Sequence, residues 1–568
     1  MSRLQQWNLA ITPLSPVHLG TGQDYEPSGY VIDEGALYEF DGIAALQVLP
    51  TAERERLAKI LDGRPTQDML LEVQRFFHGN REWLIPASIN QVRVNPTAEA
   101  FYGERVGTVA QHEQGGRRIQ NKLEIQRTAY NPPSRRPIVP GSGLKGAIRT
   151  ALLDAENDGK GLEQVNDRRT GRARMENNQE LQNRLFRYRP SKFELDPMRL
   201  VHLTDAAVAD AAGFATEVRF AVNRKKRPVM KNDVLIQSQA EQQNLYQLLE
   251  CLPGMQPRAF SGGLSIEGGQ GFAGPKWPEL RFGLPEITAA CNAFYLRSLD
   301  RELSLLRERG YLDESWDAWL RQLLAGPIGQ AIEQQRAFLL RVGRHSGAES
   351  VTLEGVRDIR IMMGRDPETR RMRFENLSAA KTLWLATDER QAQRNLLPFG
   401  WLLVEPYQDP AELPHWPATA RDLGVAAWRA AVESRKARLR AEAAEAENRR
   451  AERQREEQET RRAEDERAAR LADLSEEGRK LEGIQTLLAR DRVANRKERG
   501  GELENALVNL LKEAEQSWQG PDCAVLADLA LEVYAFIGWP SSKKKQQRQA
   551  QIEALRSKAS FGSAGASS

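Results

Sequence analysis

The stretch Pro137-Ile138-Val139-Pro140-Gly141-Ser142-Gly143-Leu144-Lys145-Gly146-Ala147-Ile148-Arg149-Thr150 holds three glycines within six residues. Such a loop can take positive φ and approach another backbone closely, because no Cβ stands in the way. From Leu144 onward the apolar residues Leu144, Ala147, Ile148, Ala151 and Leu152 recur at i, i+3, i+4, i+7 and i+8, which predicts a helix. The glycine loop therefore opens a helix whose first amides are unpaired and whose N-terminus carries partial positive charge, with Lys145 and Arg149 on the same turns. The expected ligand is an anion, a phosphate above all.

Three readings of this loop stand side by side. Gly141-x-Gly143-x-x-Gly146 formally fits a dinucleotide fingerprint, but Gly159, Lys160 and Gly161 occupy the place of the acidic residue that should follow. A Walker loop needs Lys directly after the last glycine, and Ala147 stands there. A turn with a purely structural role is the third.

The phrase Ile138 to Thr150 resembles the "IPGSSLKGAIRT" signature of the RAMP superfamily, the RNA-binding subunits of type III CRISPR effector complexes. Ile11-Thr12-Pro13-Leu14-Ser15-Pro16-Val17-His18-Leu19-Gly20-Thr21-Gly22 is similar to the opening strand and "HIGTG" turn of the same proteins. Leu200-Val201-His202-Leu203-Thr204-Asp205 resembles their "vsD" strand, and Pro398-Phe399-Gly400-Trp401 their "PxGW". The resemblance runs over residues 5 to 405 and is densest in the first 150. It implies a ferredoxin-like, RRM-related fold with the glycine loop on RNA. Within the family it points to the subunit that caps the 3′ end of the CRISPR RNA (crRNA).

The expected fold class is α+β: two ferredoxin-like modules, residues 1–160 and 161–417, then a charged helical spacer at 418–470 and a small helical region at 471–568. Trp7, Leu9 and Ile11 alternate as in a half-buried strand, Tyr30 to Phe40 reads as a hairpin, and Asp41 to Phe77 as helical. Residues 159–188 are polar and arginine-rich and read as a link between the halves. From Trp428 to Arg470 nearly every residue is Ala, Glu or Arg, the composition of an exposed helix held by i,i+4 ion pairs and too polar to join a core. Leu471 to Leu488 then offers an apolar face, which helices over 503–518 and 525–539 can cover. A basic tail from Lys543-Lys544-Lys545 and a disordered end at 561–568 close the chain.

Lys and Arg number 81 against 78 acids, a net charge of +3, yet the cations are clustered. Arg117-Arg118, Arg135-Arg136, Arg168-Arg169, Arg224-Lys225-Lys226-Arg227 and Lys543-Lys544-Lys545 suit a polyphosphate, or else a solvated surface. In residues 91–136 the arginines alternate with Phe101, Tyr102 and Tyr130, so a basic hairpin with rings for base stacking is expected there. Three scattered cysteines argue against disulfides and a structural zinc, so neither metal nor cofactor is expected. Without an apolar leader or a long apolar run, the expected setting is the cytoplasm, with no membrane.

The candidate RNA-binding residues are His18, Gly20, Gly22, Arg135, Arg136, Gly141, Ser142, Gly143, Lys145, Gly146, Arg149, Arg224, Lys225 and Lys226. Chemistry on RNA needs a placed acid and base or carboxylates holding metal. The six histidines are scattered, with His18 and His345 the best candidates. Asp24 and Glu26 lie where the target-cleaving relative carries its aspartate, but Glu26-Pro27-Ser28-Gly29 replaces the glycine-rich context of that residue. The expected role is a non-catalytic subunit that binds crRNA and neighbouring RAMP subunits, with target RNA and host nucleases as further candidate partners. The alternative is a metal-independent endoribonuclease acting on the CRISPR precursor.

Overall fold

The computed structural model describes residues 4–561 except 64–65, 113–117, 121–122, 168–170, 232–233, 239–240, 242–244, 269–275, 367 and 418–421. Arg117, Arg168, Arg169 and the end of the chain expected to be disordered, 562–568, lie outside the described residues. Two compact units divide the chain, Met1–Ala443 and Ala444–Ser568.

The first unit is α+β and carries two large sheets. At the centre of one lies Leu4–Pro13, antiparallel to Phe260–Glu267 on one side, with Trp7 opposite Leu264, and to Trp401–Tyr407 on the other, with Ile11 opposite Val404. Phe338–Arg341 extends this sheet beyond Trp401–Tyr407, and Ala206–Val208 followed by Ile138–Val139 extends it beyond Phe260–Glu267. The helices Gly141–Asn157 and Leu284–Glu308 pack on each other beside it, where the Tyr295 hydroxyl donates to the Ala147 carbonyl at 3.1 Å. The second sheet runs Gly20–Tyr25, Ile125–Thr128, Tyr246–Cys251, Glu217–Lys225, Asn90–Arg93, Ala36–Glu39 and Tyr30–Asp33.

Both sheets draw strands from each side of residue 160. The two halves of the chain are thus interleaved, and one hydrophobic core, from Leu9 and Ile11 to Trp401 and Val404, joins them. The segment expected to be a link forms instead a hairpin, Gln164–Asn166 with Ala173–Met175, and a helix, Asn178–Leu185. Asn177 and Glu180 make a capping box, and Leu181, Leu185 and Phe186 are buried, which fixes this segment to the core.

The charged helix, Val425–Asp473, departs from the expectation at its start. Val432 and Leu439 are buried with Trp428 against the hairpin Tyr30–Asp33/Ala36–Glu39 and its helices. Arg435, on the same face, bonds the Asp33 carboxylate at 2.9 Å. Its first turns therefore belong to the first unit's core.

The second unit is helical beyond that segment. Glu476–Val493, Glu502–Ser517, Pro521–Ile537 and Ser542–Phe561 enclose their own core, in which the aliphatics Ile484, Leu488, Leu507 and Leu511 pack with Val533 and Tyr534. The basic stretch Lys543 to Lys545, expected as a disordered tail, instead opens the last of these helices, which is anchored by the buried Ile552 and Leu555. All three cysteines are free and buried.

Candidate nucleic-acid interface

Two motifs about 120 residues apart in sequence are joined through the strands that flank them. The Leu19 carbonyl accepts from the Ala129 N–H at 2.7 Å, and the Ala129 carbonyl accepts from the Ile138 N–H at 3.0 Å. Backbone hydrogen bonds therefore tie the Gly20–Gly22 turn to the strand that feeds the glycine loop. Gly20–Tyr25 is an edge strand, exposed from Gly20 to Asp24, with an irregular register between Gly20 and Asp24. Gly22 has φ +77 and open space around its Cα, a conformation that suits glycine.

Tyr130 and the turn that follows lie beside it. The Tyr130 hydroxyl donates to the Gln23 side chain at 3.1 Å, and the Arg127 guanidinium lies 3.6 Å from the Tyr130 ring centroid. Arg127 is buried and donates twice to Glu39, at 2.7 and 2.9 Å, while Arg135 reaches the same carboxylate at 3.0 Å. Arg127 and Arg135 thus share a single carboxylate. Arg136 is exposed and forms no ion pair among the described residues.

The helix already begins at Gly141, so the three glycines expected to form a loop ahead of it are its first turns, and this start, for which the name glycine loop is kept, is held internally. Its first amide, on Gly141, donates to the Asp205 carboxylate at 2.8 Å, and those of Gly143 and Leu144 donate to the Pro140 carbonyl. The chain itself therefore supplies an anion at the helix N-terminus, in accord with the macrodipole. A Cβ on Gly141 would lie 2.5 Å from the Leu203 carbonyl oxygen and 2.7 Å from that of Thr204. Gly141 is the glycine that a close backbone approach requires. Gly143 and Gly146 have nothing within 4 Å of a built Cβ, and Ser142 and Gly146 are exposed.

Lys145 is half-buried, and its pKa is lowered by burial, with Asp196 opposing the shift and Arg149 adding to it. Arg149 bonds Asp196 at 2.8 Å and Gln182 at 3.2 Å, with its guanidinium 4.9 Å from the Phe186 ring centroid. It braces the helix from the Asn178–Leu185 side.

The remaining sequence candidates lie elsewhere. His18 is 1% exposed, and its Nδ1 sits 2.7 Å from the Glu250 carbonyl oxygen. Burial lowers its pKa. Arg224 is buried in a strand covered on both sides and donates to the carbonyls of Asn223 and Ala392. Lys226 is paired with Glu349. Lys225 lines a separate cleft of about 880 Å³ with Arg309, Tyr311 and Arg394. Phe101 and Tyr102, offered by the sequence to stacked bases, are core residues of the helix Pro96–Arg105, so of the three rings only Tyr130 remains partly open.

His345 follows Arg344, whose amide donates to the His18 carbonyl at 2.9 Å. His345 stacks on Trp384 at 4.8 Å, and burial pushes its pKa down to about 3. Sequence reasoning missed Glu250, which is buried and accepts from Thr216 at 2.7 Å and from the Thr128 amide and Tyr25 at 3.1 Å. It also missed Glu39, an ordinary strand residue in the sequence until Arg127 and Arg135 converge on it. Among the described residues no group of three or more His, Cys, Asp or Glu could hold a metal ion. None of the described helices is long and apolar enough to cross a membrane.

Residues 10–254 match the family model of the RAMP superfamily. The chain is also similar to the CRISPR system Cms protein Csm5 of Mycobacterium tuberculosis, from strains CDC 1551/Oshkosh and ATCC 25618/H37Rv, at 25% identity over 161 residues. That match takes in 27% of this chain and spans 40% of the length of these curated relatives. Two solved structures are similar at 16% identity, each over 71% of this chain and 100% of its own. One is a chain of a Csm-crRNA-target RNA ternary complex from a type III-A CRISPR-Cas system, with a TM-score of 0.40, and the other is T.onnurineus Csm5, at 0.36. The matched region contains both the Gly20–Gly22 turn and the glycine loop.

Proposed function

We propose that this chain is a non-catalytic RNA-binding subunit of a type III-A CRISPR effector complex, which grips crRNA near its 3′ end and closes a filament of RAMP subunits. In that role it supports crRNA maturation and antiviral defence in the cytoplasm, and its partners are crRNA, the adjoining RAMP subunits and the target RNA paired to the guide. The observation that carries the reading is the joining of the Gly20–Gly22 turn to the glycine loop through Leu19, Ala129 and Ile138. Along this connection Gly20, Gly22, Ser142, Gly146 and Arg136 are exposed and Lys145 and the Tyr130 ring are partly open, which supports a single RNA-binding surface. Cations neutralise phosphates and a ring stacks a base, the two elements of single-strand binding. The two ferredoxin-like modules expected over 1–160 and 161–417 would in this reading share their strands between both sheets.

His18, Arg149 and Arg224 take structural roles here, since each is engaged inside the protein. The burial of His18 favours a non-catalytic subunit over the endoribonuclease. The test is to tag the chain in its native host and identify the RNA and proteins that copurify, and to incubate the pure chain with labelled repeat RNA with and without Mg²⁺. Copurified crRNA with RAMP subunits and intact repeat RNA are expected. Repeat cleavage abolished by His18→Ala would overturn the non-catalytic reading.

A further inference from the structure

The helical bundle of the second unit has one end at which cations are concentrated and outnumber the carboxylates, Glu498 standing among them. There the loop between Glu476–Val493 and Glu502–Ser517 meets the turn between Pro521–Ile537 and Ser542–Phe561. The Arg499 guanidinium lies against Gly538, 3.0 Å from where a Cβ would stand, and Lys497 Nζ lies 5.8 Å from the Phe536 ring centroid. Lys545 Nζ lies 5.6 Å from the Trp539 ring centroid, and Trp539 is itself stacked on the buried Tyr534 at 4.6 Å.

Arg490 and Arg492, in the last turn of their helix, are paired with Glu502 and Glu532. Arg496, Lys497, Arg499, Lys543, Lys544 and Lys545 form no ion pair among the described residues, and all but the half-buried Lys545 are exposed. Two of these cations are positioned by aromatic rings, which attract an ammonium without cancelling its charge. The first turn of Ser542–Phe561 holds no acidic residue, so its lysines add to the positive end of that helix's dipole. Like charges gathered this way repel one another, and the repulsion is relieved by a polyanion.

We infer that this end of the bundle, formed by Arg496, Lys497, Arg499 and Lys543 to Lys545 around Phe536 and Trp539, is a second RNA-binding surface that takes the phosphodiester backbone of single-stranded RNA. It lies outside the region that matches the RAMP superfamily and stands independently of the role proposed for the glycine loop. Because the partners are phosphates, it binds without base specificity and with steep salt dependence.

The test uses the full chain, a short oligouridylate as probe, filter binding over a salt series and ultraviolet crosslinking with peptide mapping. Crosslinks are expected in peptides carrying Phe536 and Trp539. The K543Q/K544Q/K545Q variant is expected to remove them and to lower the magnitude of the salt slope by about 2, at about 0.7 for each phosphate no longer neutralised. The R496Q/K497Q/R499Q variant should act alike. An R136A/K145A variant separates the two surfaces: it should lose crosslinks around Tyr130 to Gly146 and keep those at Phe536 and Trp539. A folded lysine variant with an unchanged salt slope, or wild-type crosslinks absent from this end, overturns the inference. So does an unchanged slope with loss of a protein partner, which would make the surface a protein-docking site.

Discussion

Gly141→Ala should destabilise the first unit, whereas Gly143→Ala, two residues on in the same helix, should not. At Gly141 the added methyl would meet two backbone carbonyl oxygens, at 2.5 and 2.7 Å, and neither can move as a side-chain end could. Relieving that overlap means shifting the helix start from the strand Val201–Leu203, a form of overpacking that costs about 1–3 kcal/mol. The same shift stretches the 2.8 Å hydrogen bond from the Gly141 amide to the Asp205 carboxylate, a charge-assisted bond of about 1.5–3 kcal/mol. Partial relaxation leaves about 2–4 kcal/mol as the expected total. At Gly143 a methyl meets nothing within 4 Å, and alanine in a helix gains about 0.5–1 kcal/mol over glycine. Hydrogen exchange followed by peptide mass spectrometry reads each unit separately, so protection of 138–157 and 260–267 reports the change. If both variants protected these segments as well as the unsubstituted chain does, the close approach at Gly141 would not be what fixes the helix.

Other outcomes follow from the buried groups. Glu39→Ala should cost about 3–5 kcal/mol, because it leaves the buried Arg127 without its carboxylate, and denaturation of the variant measures the loss. Leu439→Ala should cost about 2–5 kcal/mol in the first unit, and a chain ended after Ala443 should keep that unit folded better than one ended before Val425. His345 stays neutral down to about pH 3 in the folded protein, whereas unfolded it takes up a proton below its ordinary value. The unfolded state therefore binds more protons between about pH 6.5 and 3, and stability should fall with acidification there, by up to about 1.4 kcal/mol per pH unit. His345→Gln should flatten that part of a melting-midpoint profile.

What the sequence disclosed is local. The 3.6-residue period located the helix that carries Leu144 to Leu152, and the hairpin at Tyr30 to Phe40 and the C-terminal helices followed from patterns within a few turns of chain, but the glycine spacing was read as a loop where the helix has already begun at Gly141. The interleaving of the two sheets was hidden because Leu4–Pro13 pairs with strands more than 200 residues away, and no local pattern encodes such pairing. Arg224 looked like part of a basic patch, yet Glu217–Lys225 is covered on both sides, and its guanidinium is engaged by carbonyls inside. Asp205 was visible as part of a motif, but its role at the Gly141 amide needed the fold. The docking of the charged helix did leave a trace: Trp428, Val432, Arg435 and Leu439 fall at i, i+4, i+7 and i+11, one helical face within the alanine-rich run.

The proposed function requires RNA to lie across the surface shared by the Gly20–Gly22 turn and the glycine loop. The most direct measurement is filter binding of CRISPR repeat RNA to the full chain and to its R136A/K145A variant over a salt series. Weaker binding by the folded variant is expected, with a salt slope smaller in magnitude by about 1.4, from two phosphates no longer neutralised at about 0.7 each. Unchanged affinity and slope would contradict that placement of the RNA.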